Sequence, residues 1–253
     1  MKKYNINQKE KWNKRAHSYP SFSEETSGVE ERVISLAESA GVAIRDKTLL
    51  DIGCGTGRFT IRISKKASQV TAVDISENML NILEEDARAE GLTNIKTLCA
   101  DWKDTSPAKC EIVMATLTPA LRTEHDFQRM LDTAEEHVIY LGWVQRKECP
   151  MIRDIYKTHN VDPTGFDFPG KFSDLLEKRT YDVQFFPVKD EWERTGSITE
   201  MTERLAQSIK EYGGEPDLNS IRQKLLENST DGINITYITD VELKLAIISK
   251  TVH

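Results

Sequence analysis

A short glycine-rich segment at residues 51–57 holds the residue types best suited to ligand chemistry. The segment reads Asp-Ile-Gly-Cys-Gly-Thr-Gly and includes the end of an apolar run, Thr48–Ile52, that predicts a β-strand. The glycines at positions 53, 55 and 57 allow a left-handed turn and let the backbone approach a ligand without interference from a Cβ atom. A helix predicted directly after the loop would present unpaired N–H groups to the same ligand. We therefore expect Gly53, Gly55 and Gly57 to bind a nucleotide-like molecule.

The glycine spacing separates two classes of nucleotide-like ligand. A dinucleotide site that starts at Gly53 needs a glycine at position 58, which holds Arg58 instead. Asp51, which precedes the loop, would repel a pyrophosphate, whereas it suits a ligand that carries an α-ammonium group. The spacing therefore disfavours a dehydrogenase and favours a ligand such as S-adenosylmethionine, whose methionine end carries that ammonium group close to a sulfonium.

Two further acidic residues follow the second and third predicted strands. The strand Gln69–Val73 ends at Asp74, where a carboxylate can accept hydrogen bonds from both hydroxyls of a ribose. The strand Ile95–Cys99 leads to Asp101 and Trp102. The Asp101 carboxylate can accept a hydrogen bond from the amine of an adenine, and the Trp102 indole can pack beside the adenine ring. A single acid at a strand end is more often a turn or a helix cap. A glycine loop and two acids in register after three consecutive strands indicate a binding site for adenosine.

The elements that must position these residues alternate along the first half of the chain. Strands are predicted at 48–52, 69–73, 95–99, 111–115 and 137–143, with stretches of helical periodicity between them. This alternation indicates right-handed βαβ units and a parallel sheet. Beyond Trp143 the pattern is less regular. We expect strands there at 181–187, 233–238 and 241–249, and helices at 198–212 and 218–226.

Residues 49–143 resemble the class I, seven-stranded S-adenosylmethionine-dependent methyltransferases, in particular those that act on small molecules. The glycine loop is similar to the first motif of that family, and Val70–Ser76 is similar to the segment that holds its ribose acid. Trp12, Ala16 and Tyr19 resemble its W-x-x-x-A-x-x-Y opening. The resemblance implies a Rossmann-like α/β three-layer sandwich. Its seven-stranded, mostly parallel sheet would have the order 3-2-1-4-5-7-6, strand seven antiparallel, helices on both faces and an inserted helical lid.

The resemblance also implies one domain over residues 1–253 and a role for each residue of the site. The N-terminal helices (1–41) would cover the cofactor, residues 42–143 would form the cofactor-binding core, and residues 144–253 would hold the acceptor-side insertions and the last strands. Asp51 would lie near the ammonium group, Asp74 would bind the ribose and Asp101 the adenine amine. The other implied cofactor contacts are those of Tyr19, Ile75, Met79, Trp102 and Thr116.

The acceptor and any catalytic base are less clearly marked. Methyl transfer from a sulfonium depends mainly on alignment of the two reactants, so a dedicated catalytic residue is not required. An oxygen or nitrogen acceptor with a proton to lose would need a base near neutral pKa. His125, after the fourth strand, and His17, in the N-terminal segment, are the weak candidates, and a solvated surface role is commoner for both. Acceptor selection is expected from the less regular residues 145–230.

Composition and charge argue against nucleic acid, membranes and metal ions as binding partners. The net charge of −7 and pI near 5.4 disfavour nucleic acid, which usually needs a basic face. The sequence contains no apolar run of eighteen residues and no secretory signal, which predicts a cytoplasmic protein without a membrane partner. The four cysteines lack metal-ligand spacing, so no metal is expected; they are Cys54, Cys99, Cys110 and Cys149.

These observations together predict a methyltransferase that uses S-adenosylmethionine, releases S-adenosylhomocysteine and acts on a small-molecule acceptor. Two alternatives remain open. One is a methyltransferase that acts on a macromolecule, protein or RNA, and the other is a non-catalytic protein that binds S-adenosylmethionine. A homodimer is compatible with the sequence.

Overall fold

Helices and strands alternate through most of the chain. The computed structural model describes residues 8–24, 28–163, 172, 176 and 181–250. The helices are α1 (Gln8–Arg15), α2 (Val29–Ser39), α3 (Arg58–Ser64), α4 (Glu77–Ala89), α5 (Glu124–Thr133), α6 (Pro150–Thr158), α7 (Ile198–Glu211) and α8 (Leu218–Asn228), with 3-10 turns at Ala16–Ser18 and Trp102–Asp104. The strands are β1 (Thr48–Ile52), β2 (Gln69–Asp74), β3 (Ile95–Cys99), β4 (Cys110–Thr116), β5 (Ala134–Glu148), β6 (Asp182–Ser197) and β7 (Asn234–Ser249).

The seven strands form one sheet in the order β3-β2-β1-β4-β5-β7-β6, and the predicted order is confirmed. β1 to β5 pair in parallel, as the alternating pattern predicted; Asp51, for example, lies opposite Ala72 of β2 and Met114 of β4. The parallel strands require the intervening helices as crossovers. The Rossmann-like α/β class is therefore confirmed as well.

β7 runs antiparallel to β5. The backbone N–H of Lys250 donates to the carbonyl of Glu136 at 2.8 Å, near the start of β5. Near the other end of β5, the Thr239 hydroxyl donates to the Glu148 carboxylate at 2.7 Å. Residue numbers thus fall along β7 as they rise along β5, which defines the antiparallel pair.

The last three strands are much longer than the first three. β5 has 15 residues and β6 and β7 have 16 each, against 5 in β1. The reason is that they contribute to two compact units. Unit 1 comprises Met1–Gly142, Pro169–Val188 and Lys244–His253, and unit 2 comprises Trp143–Phe168 and Lys189–Leu243. Two later segments, Pro169–Val188 and Lys244–His253, thus return to unit 1. The predicted division of one domain at 143/144 stays a prediction.

Side-chain caps fix where two helices of unit 1 begin. The Ser76 hydroxyl accepts the N–H of Met79 at 3.2 Å and starts α4 directly after Asp74. Thr123 and Asp126 form a reciprocal capping box at the start of α5. Each cap satisfies backbone N–H groups that the first helical turn leaves without a partner. The strand-end residues before these helices are thereby held in fixed positions.

Each unit has its own apolar core. In unit 1, residues of α3, β2 and α4 pack together with side chains that are less than 5% exposed, namely Ile61, Ala72, Leu80 and Leu83. In unit 2, α6, α7 and α8 share one core with β7, formed among others by Ile155, Leu205, Ile209, Ile221, Leu225 and Ile235. Among the described residues, the helices are too short or too polar to cross a lipid bilayer.

Candidate functional site

The carboxyl ends of β1 and β2 bring the predicted glycine loop and Asp74 together. The backbone N–H groups of Gly53 and Cys54 donate to the carbonyl of Val73 at 2.7 and 3.1 Å. The loop therefore begins beside the end of β2, where Asp74 follows Val73. In open α/β sheets, ligands bind outside the carboxyl ends of the strands.

The three glycines of the loop have left-handed backbones, with φ of +67° at Gly53, +56° at Gly55 and +83° at Gly57. A Cβ atom at Gly53 would lie 1.8 Å from the Thr118 hydroxyl, and one at Gly57 would lie 2.1 Å from Cδ1 of Leu83. At Gly55, by contrast, no atom of the described residues lies within 4 Å of that position. Two glycines are thus needed for close packing, and the third borders open space.

Asp74 is held in a fixed orientation beside that space. Its Oδ2 accepts the N–H of Gly55 at 2.9 Å and its Oδ1 accepts the N–H of Ser76 at 2.8 Å. Burial raises the pKa of Asp74, and these backbone donors oppose the rise. Each carboxylate oxygen has a second lone pair. Asp74 can therefore accept further hydrogen bonds from a ligand without turning away from the loop.

Asp51 is a buried carboxylate, and one of its oxygens has no hydrogen-bond partner among the described residues. The residue is 1% exposed, and its Oδ2 accepts the Thr60 hydroxyl at 2.6 Å. Its Oδ1 has no hydrogen-bond partner among the described residues. Burial raises the pKa of Asp51 to about 7; the Thr60 hydrogen bond opposes the rise and the charge of Asp74 adds to it. A buried acceptor of this kind is costly unless a donor or a cation reaches it.

The N-terminal segment is hydrogen-bonded to the same edge of the sheet. Oδ1 of Asn13 in α1 accepts the Ser76 hydroxyl at 2.7 Å. The carbonyl of Pro20 accepts the Thr56 hydroxyl of the glycine loop at 2.7 Å. Tyr19, which directly precedes Pro20, is 42% exposed. The segment is thus held beside the glycine loop, and its role in covering a cofactor stays a prediction.

Asp101 lies in an ion pair with the segment that follows β4. Its Oδ2 is 3.0 Å from Nη1 of Arg122, and Nε of Arg122 donates to the carbonyl of Pro119 at 3.2 Å. Asp101 also caps the following 3-10 turn through the N–H of Lys103. Arg122 was not anticipated from the sequence. The contact of Asp101 with an adenine amine stays a prediction.

Comparisons with known proteins find methyltransferases that are similar to part of the chain. Residues 49–139 match a family described as a methyltransferase domain. A Geobacillus sp. protein with a provisional methyltransferase name is 49% identical over 47 residues, which is 19% of each chain. The ubiquinone biosynthesis O-methyltransferase of Coxiella burnetii is 29% identical over 90 residues, 36% of this chain and 38% of the relative. The 23S rRNA (uracil(1939)-C(5))-methyltransferase RlmD of Marinomonas sp. is 31% identical over 77 residues, 30% of this chain and 17% of the relative. The matched stretches thus span less than two fifths of these relatives.

Solved structures share the fold over nearly the whole chain. YcgJ of Bacillus subtilis superposes with a TM-score of 0.54 at 14% identity and covers 88% of this chain and 99% of its own. The magnesium protoporphyrin IX methyltransferase of Synechocystis, solved with bound S-adenosylhomocysteine, has a TM-score of 0.53 at 12% identity and covers 96% and 95%. At these identities the likeness concerns the fold. Residues 49–139 thus match a methyltransferase domain, and the chain has the fold of solved methyltransferases.

The magnesium protoporphyrin IX methyltransferase of Synechocystis was also solved with bound S-adenosylmethionine, and the residues of this site fit that molecule on two observations. The free Oδ1 of buried Asp51 supplies an acceptor of the charge that an α-ammonium group requires. The open space at Gly55, next to the oriented carboxylate of Asp74, supplies room for a ligand at a ribose acceptor. Among the described residues, His, Cys, Asp and Glu side chains do not gather in groups of three that could hold a metal ion.

Trp102 lies inside the methyltransferase fold. The residue is 1% exposed, and its Nε1 donates to the carbonyl of Asp126 at 3.2 Å. The guanidinium of Arg129 stacks over the indole at 4.6 Å from the ring centroid. This packing against α5 accounts for the indole without a ligand. The predicted contact of Trp102 with an adenine ring stays untested and has no support from this geometry.

The remaining predicted cofactor residues border the same strand ends. Ile75, directly after Asp74, is partly buried, whereas Met79 is only 2% exposed and packs into the core. Thr116 is the last residue of β4 and is followed by Leu117, whose φ of +51° is unusual for a residue with a side chain. Strained backbone of this kind often lies at functional sites. The sequence does not mark Leu117, because only glycine and proline patterns reveal special backbone angles.

Both candidate bases lie on the surface. His125 is in the first turn of α5, and His17 is in the 3-10 turn after α1; both are exposed. Among the described residues, neither side chain has a hydrogen bond or an ion pair. Their catalytic role stays a prediction.

Proposed function

We propose that this protein is an enzyme that transfers the methyl group of S-adenosylmethionine to a small-molecule acceptor and releases S-adenosylhomocysteine. The observation that carries the proposal is the free Oδ1 of buried Asp51, at the edge of the sheet that also presents Gly55 and Asp74. A buried carboxylate without a counter-charge is costly, and a cationic ligand removes the cost. The ammonium group of the family's cofactor is such a ligand.

In the proposed enzyme, bound S-adenosylmethionine supplies an activated methyl group. Asp51 holds its ammonium group, Asp74 accepts its ribose hydroxyls, and Gly53 and Gly57 fix the loop between them. Asp101, Ile75, Met79, Trp102 and Thr116 are the proposed adenine-side and sulfonium-side contacts, and Tyr19 belongs to the segment that covers the cofactor. The protein's contribution to the rate is alignment and exclusion of water. His125 and His17 are the candidates for a base if the acceptor loses a proton.

The charge of the chain supports a small acceptor over RNA. A polyanionic substrate is held by neutralising its phosphates, and this chain carries a net charge of −7. Its curated relatives include both kinds: the Coxiella burnetii enzyme is named for ubiquinone biosynthesis and the Marinomonas sp. enzyme for 23S rRNA. A macromolecular acceptor is therefore the second candidate.

We further propose that residues 144–253 select the acceptor and that the enzyme works in the cytoplasm. The first statement is supported by unit 2, which adds three helices and the ends of three long strands to the shared methyltransferase fold. The second is supported by the four cysteines, which are all unpaired thiols as is usual in a reducing compartment. A homodimer remains compatible with the proposal.

Calorimetry with S-adenosylmethionine, S-adenosylhomocysteine and NAD tests the cofactor. We expect micromolar binding of the two adenosyl ligands, no binding of NAD, and about 10- to 100-fold weaker binding by Asp74→Asn, because charge-assisted hydrogen bonds to the ribose are lost. Asp182→Asn is the matched control, since Asp182 is an exposed residue at the start of β6. Binding of NAD instead of the adenosyl ligands would contradict the proposal.

Turnover distinguishes the enzyme from a protein that only binds the cofactor. Incubation with methyl-labelled S-adenosylmethionine and separate pools of small metabolites, protein and RNA should label the small-molecule pool. Label in RNA or protein would favour the macromolecular alternative. Tight cofactor binding with no label in any pool would favour a non-catalytic binding protein.

A further inference from the structure

A cluster of charged side chains lies in unit 2, far in sequence from the cofactor motifs. Arg146 and Glu148 share one face of β5, Arg194 belongs to β6 and Arg204 to α7. All four side chains are buried or partly buried. The cluster therefore contains three guanidinium groups and one carboxylate.

The single carboxylate already has its partners. Glu148 is 3% exposed, its Oε1 lies 2.6 Å from Nε of Arg146, and its Oε2 accepts the hydroxyl of fully buried Thr239 at 2.7 Å. One guanidinium thus offsets the one negative charge. Arg194 and Arg204 make no ion pair with Glu148 in the part of the chain that the structure describes, although the charge of Glu148 acts on Arg194 from a greater distance.

Arg194 and Arg204 also lack other partners. Within the part of the chain that the structure describes, neither has a hydrogen bond or an ion pair. Burial lowers the pKa of Arg194 and the positive charges of Arg204 and Arg146 lower it further, whereas Tyr237 and the negative charge of Glu148 oppose the change. The elements that carry the two arginines also pack together: Leu205, next to Arg204 in α7, shares a core cluster with Tyr237 of β7, the strand beside β6. Burying like charges is unfavourable unless something of opposite sign lies between them.

Two tyrosines border the same place. The hydroxyls of Thr195 in β6 and Thr236 in β7 lie 2.7 Å apart, so these two residues are opposite each other in the sheet. Arg194 and Tyr237 are then the next opposite pair, and they point to the face away from the two threonines. Tyr156 of α6 reaches α7 through a hydrogen bond of 3.0 Å to the Ser208 hydroxyl. Burial raises the pKa of both tyrosines, so their hydroxyls stay protonated and can donate.

We propose that Arg194 and Arg204 bind an oxyanion, the carboxylate or phosphate group of a small molecule, inside unit 2. The planar guanidinium forks match both groups with two parallel hydrogen bonds each, and neighbouring tyrosine hydroxyls are suitable additional donors. The bound anion supplies the charge that the cluster lacks. This inference rests on unit 2 alone and is independent of the proposed methyl transfer.

Binding of small oxyanions to the full-length protein tests the proposal. Thermal unfolding is followed in millimolar inorganic phosphate, in succinate and in sodium chloride, all at equal ionic strength. We expect phosphate or succinate to raise the midpoint by several degrees over chloride, because a ligand that binds only the folded state stabilises it. A response to phosphate alone assigns a phosphate ligand, a response to succinate alone assigns a carboxylate, and a response to both assigns a site for either.

Variants locate the site. We expect Arg194→Gln and Arg204→Gln each to weaken the measured affinity about tenfold or more, which is the usual effect of removing a charged hydrogen-bond donor. Arg222→Gln, at an exposed arginine of α8 in the same unit, should retain the wild-type response. Arg194→Lys keeps the charge without the fork, so it should fold and still bind more weakly than the wild type.

Three results would overturn the proposal. They are equal midpoints in the three salts, an oxyanion response that Arg194→Gln and Arg204→Gln retain in full, and a response that Arg222→Gln loses equally. Calorimetry with S-adenosylmethionine is run in parallel on every variant. If the wild type does not bind S-adenosylmethionine, the proposed function is contradicted and the oxyanion result is unaffected.

Discussion

Two buried carboxylates, one in each unit, have opposite surroundings. Asp51 of unit 1 is 1% exposed and has a hydroxyl on one oxygen and nothing on the other, with a second acid, Asp74, close enough to raise its pKa. Glu148 of unit 2 is 3% exposed and has an arginine on one oxygen and a hydroxyl on the other. Unit 1 thus has a surplus of negative charge at its buried acid, and unit 2 has a surplus of positive charge.

This contrast shows that burial of a charge does not by itself indicate what the charge does. A paired buried acid stabilises its surroundings, because removal of one partner leaves the other uncompensated. An unpaired buried acid destabilises the protein until a ligand arrives, and the same feature makes it a binding group. Neutralising the two acids should therefore change stability in opposite directions.

Glu148→Gln should have the largest effect. Among the described residues, the substitution removes the carboxylate that pairs with Arg146 in a group of three arginines, so we expect a loss of about 3 kcal/mol in the free energy of unfolding. Urea denaturation measures it. Glu193→Gln, at an exposed position of β6, is the control and should change stability by less than about 0.5 kcal/mol. If phosphate or succinate binds as proposed, it should stabilise Glu148→Gln more than the wild type.

Asp51→Asn should increase the stability of the ligand-free protein by roughly 4 kcal/mol at pH 8. The pKa of Asp51 rises from the ordinary 3.8 to about 7 in the folded protein, so the folded state binds a proton more tightly than the unfolded state. The wild type should therefore lose stability as the pH rises from about 4 to about 7 and change little above that. The amide resembles the protonated carboxyl, so Asp51→Asn should lack this decline. Denaturation at several pH values measures the difference.

Cofactor affinity completes the test of Asp51. An ammonium group prefers the ionised carboxylate, so affinity of the wild type for S-adenosylmethionine should increase between pH 6 and pH 8. Asp51→Asn should bind more weakly and lose most of that increase. If Asp51→Asn were less stable than the wild type at pH 8, the buried carboxylate would have a stabilising partner, and the contrast with Glu148 would disappear.

Sequence reasoning was much more effective for unit 1 than for unit 2. The loop at Gly53 and the acid at Asp74 follow consecutive strands, so a local pattern contains their spatial arrangement. Thr60, which donates the hydrogen bond to Asp51, lies in α3. The apolar periodicity of that helix reveals which residues face the core and gives no sign of the role of Thr60. In unit 2, by contrast, Arg146, Arg194 and Arg204 come from two strands and a helix, and only the register of the long strands brings them together.

The topology of the last three strands shows the same limit. Their order follows from the resemblance to a known family, and the sheet confirms it. Their length does not follow from the sequence, because β6 extends through Asp190, Glu191 and Glu193, which are unfavourable in isolated strands. Pairing with β7 outweighs this local preference. Long-range pairing is the part of a fold that local periodicity leaves undetermined.

Gly53→Ala and Gly55→Ala should separate packing from binding within unit 1. At Gly53 the new methyl group would collide with buried Thr118 and the backbone has φ of +67°, so we expect a loss of about 3 kcal/mol in unfolding free energy. At Gly55 the methyl group enters open space and only the φ of +56° costs stability, about 1 kcal/mol. Gly55→Ala should nevertheless weaken binding of S-adenosylmethionine at least as much as Gly53→Ala does. Equal stabilities, or full cofactor affinity in Gly55→Ala, would contradict the assignment of that space to the cofactor.

Tyr140→Phe should have the smallest effect and tests a buried polar group that has neither a partner nor a charge. The Tyr140 hydroxyl is buried in β5 with no hydrogen-bond partner among the described residues, and burial raises its pKa above the usual range. Its removal should change the unfolding free energy by less than about 1 kcal/mol, and in the stabilising direction. Tyr156→Phe is the matched control in unit 2: it breaks the bond to Ser208 and should destabilise by about 1 kcal/mol. A clear loss of stability in Tyr140→Phe would show that this hydroxyl has a partner. The contrast between Asp51, which lacks a partner on one oxygen, and Glu148, which has partners on both, would then not extend to uncharged groups.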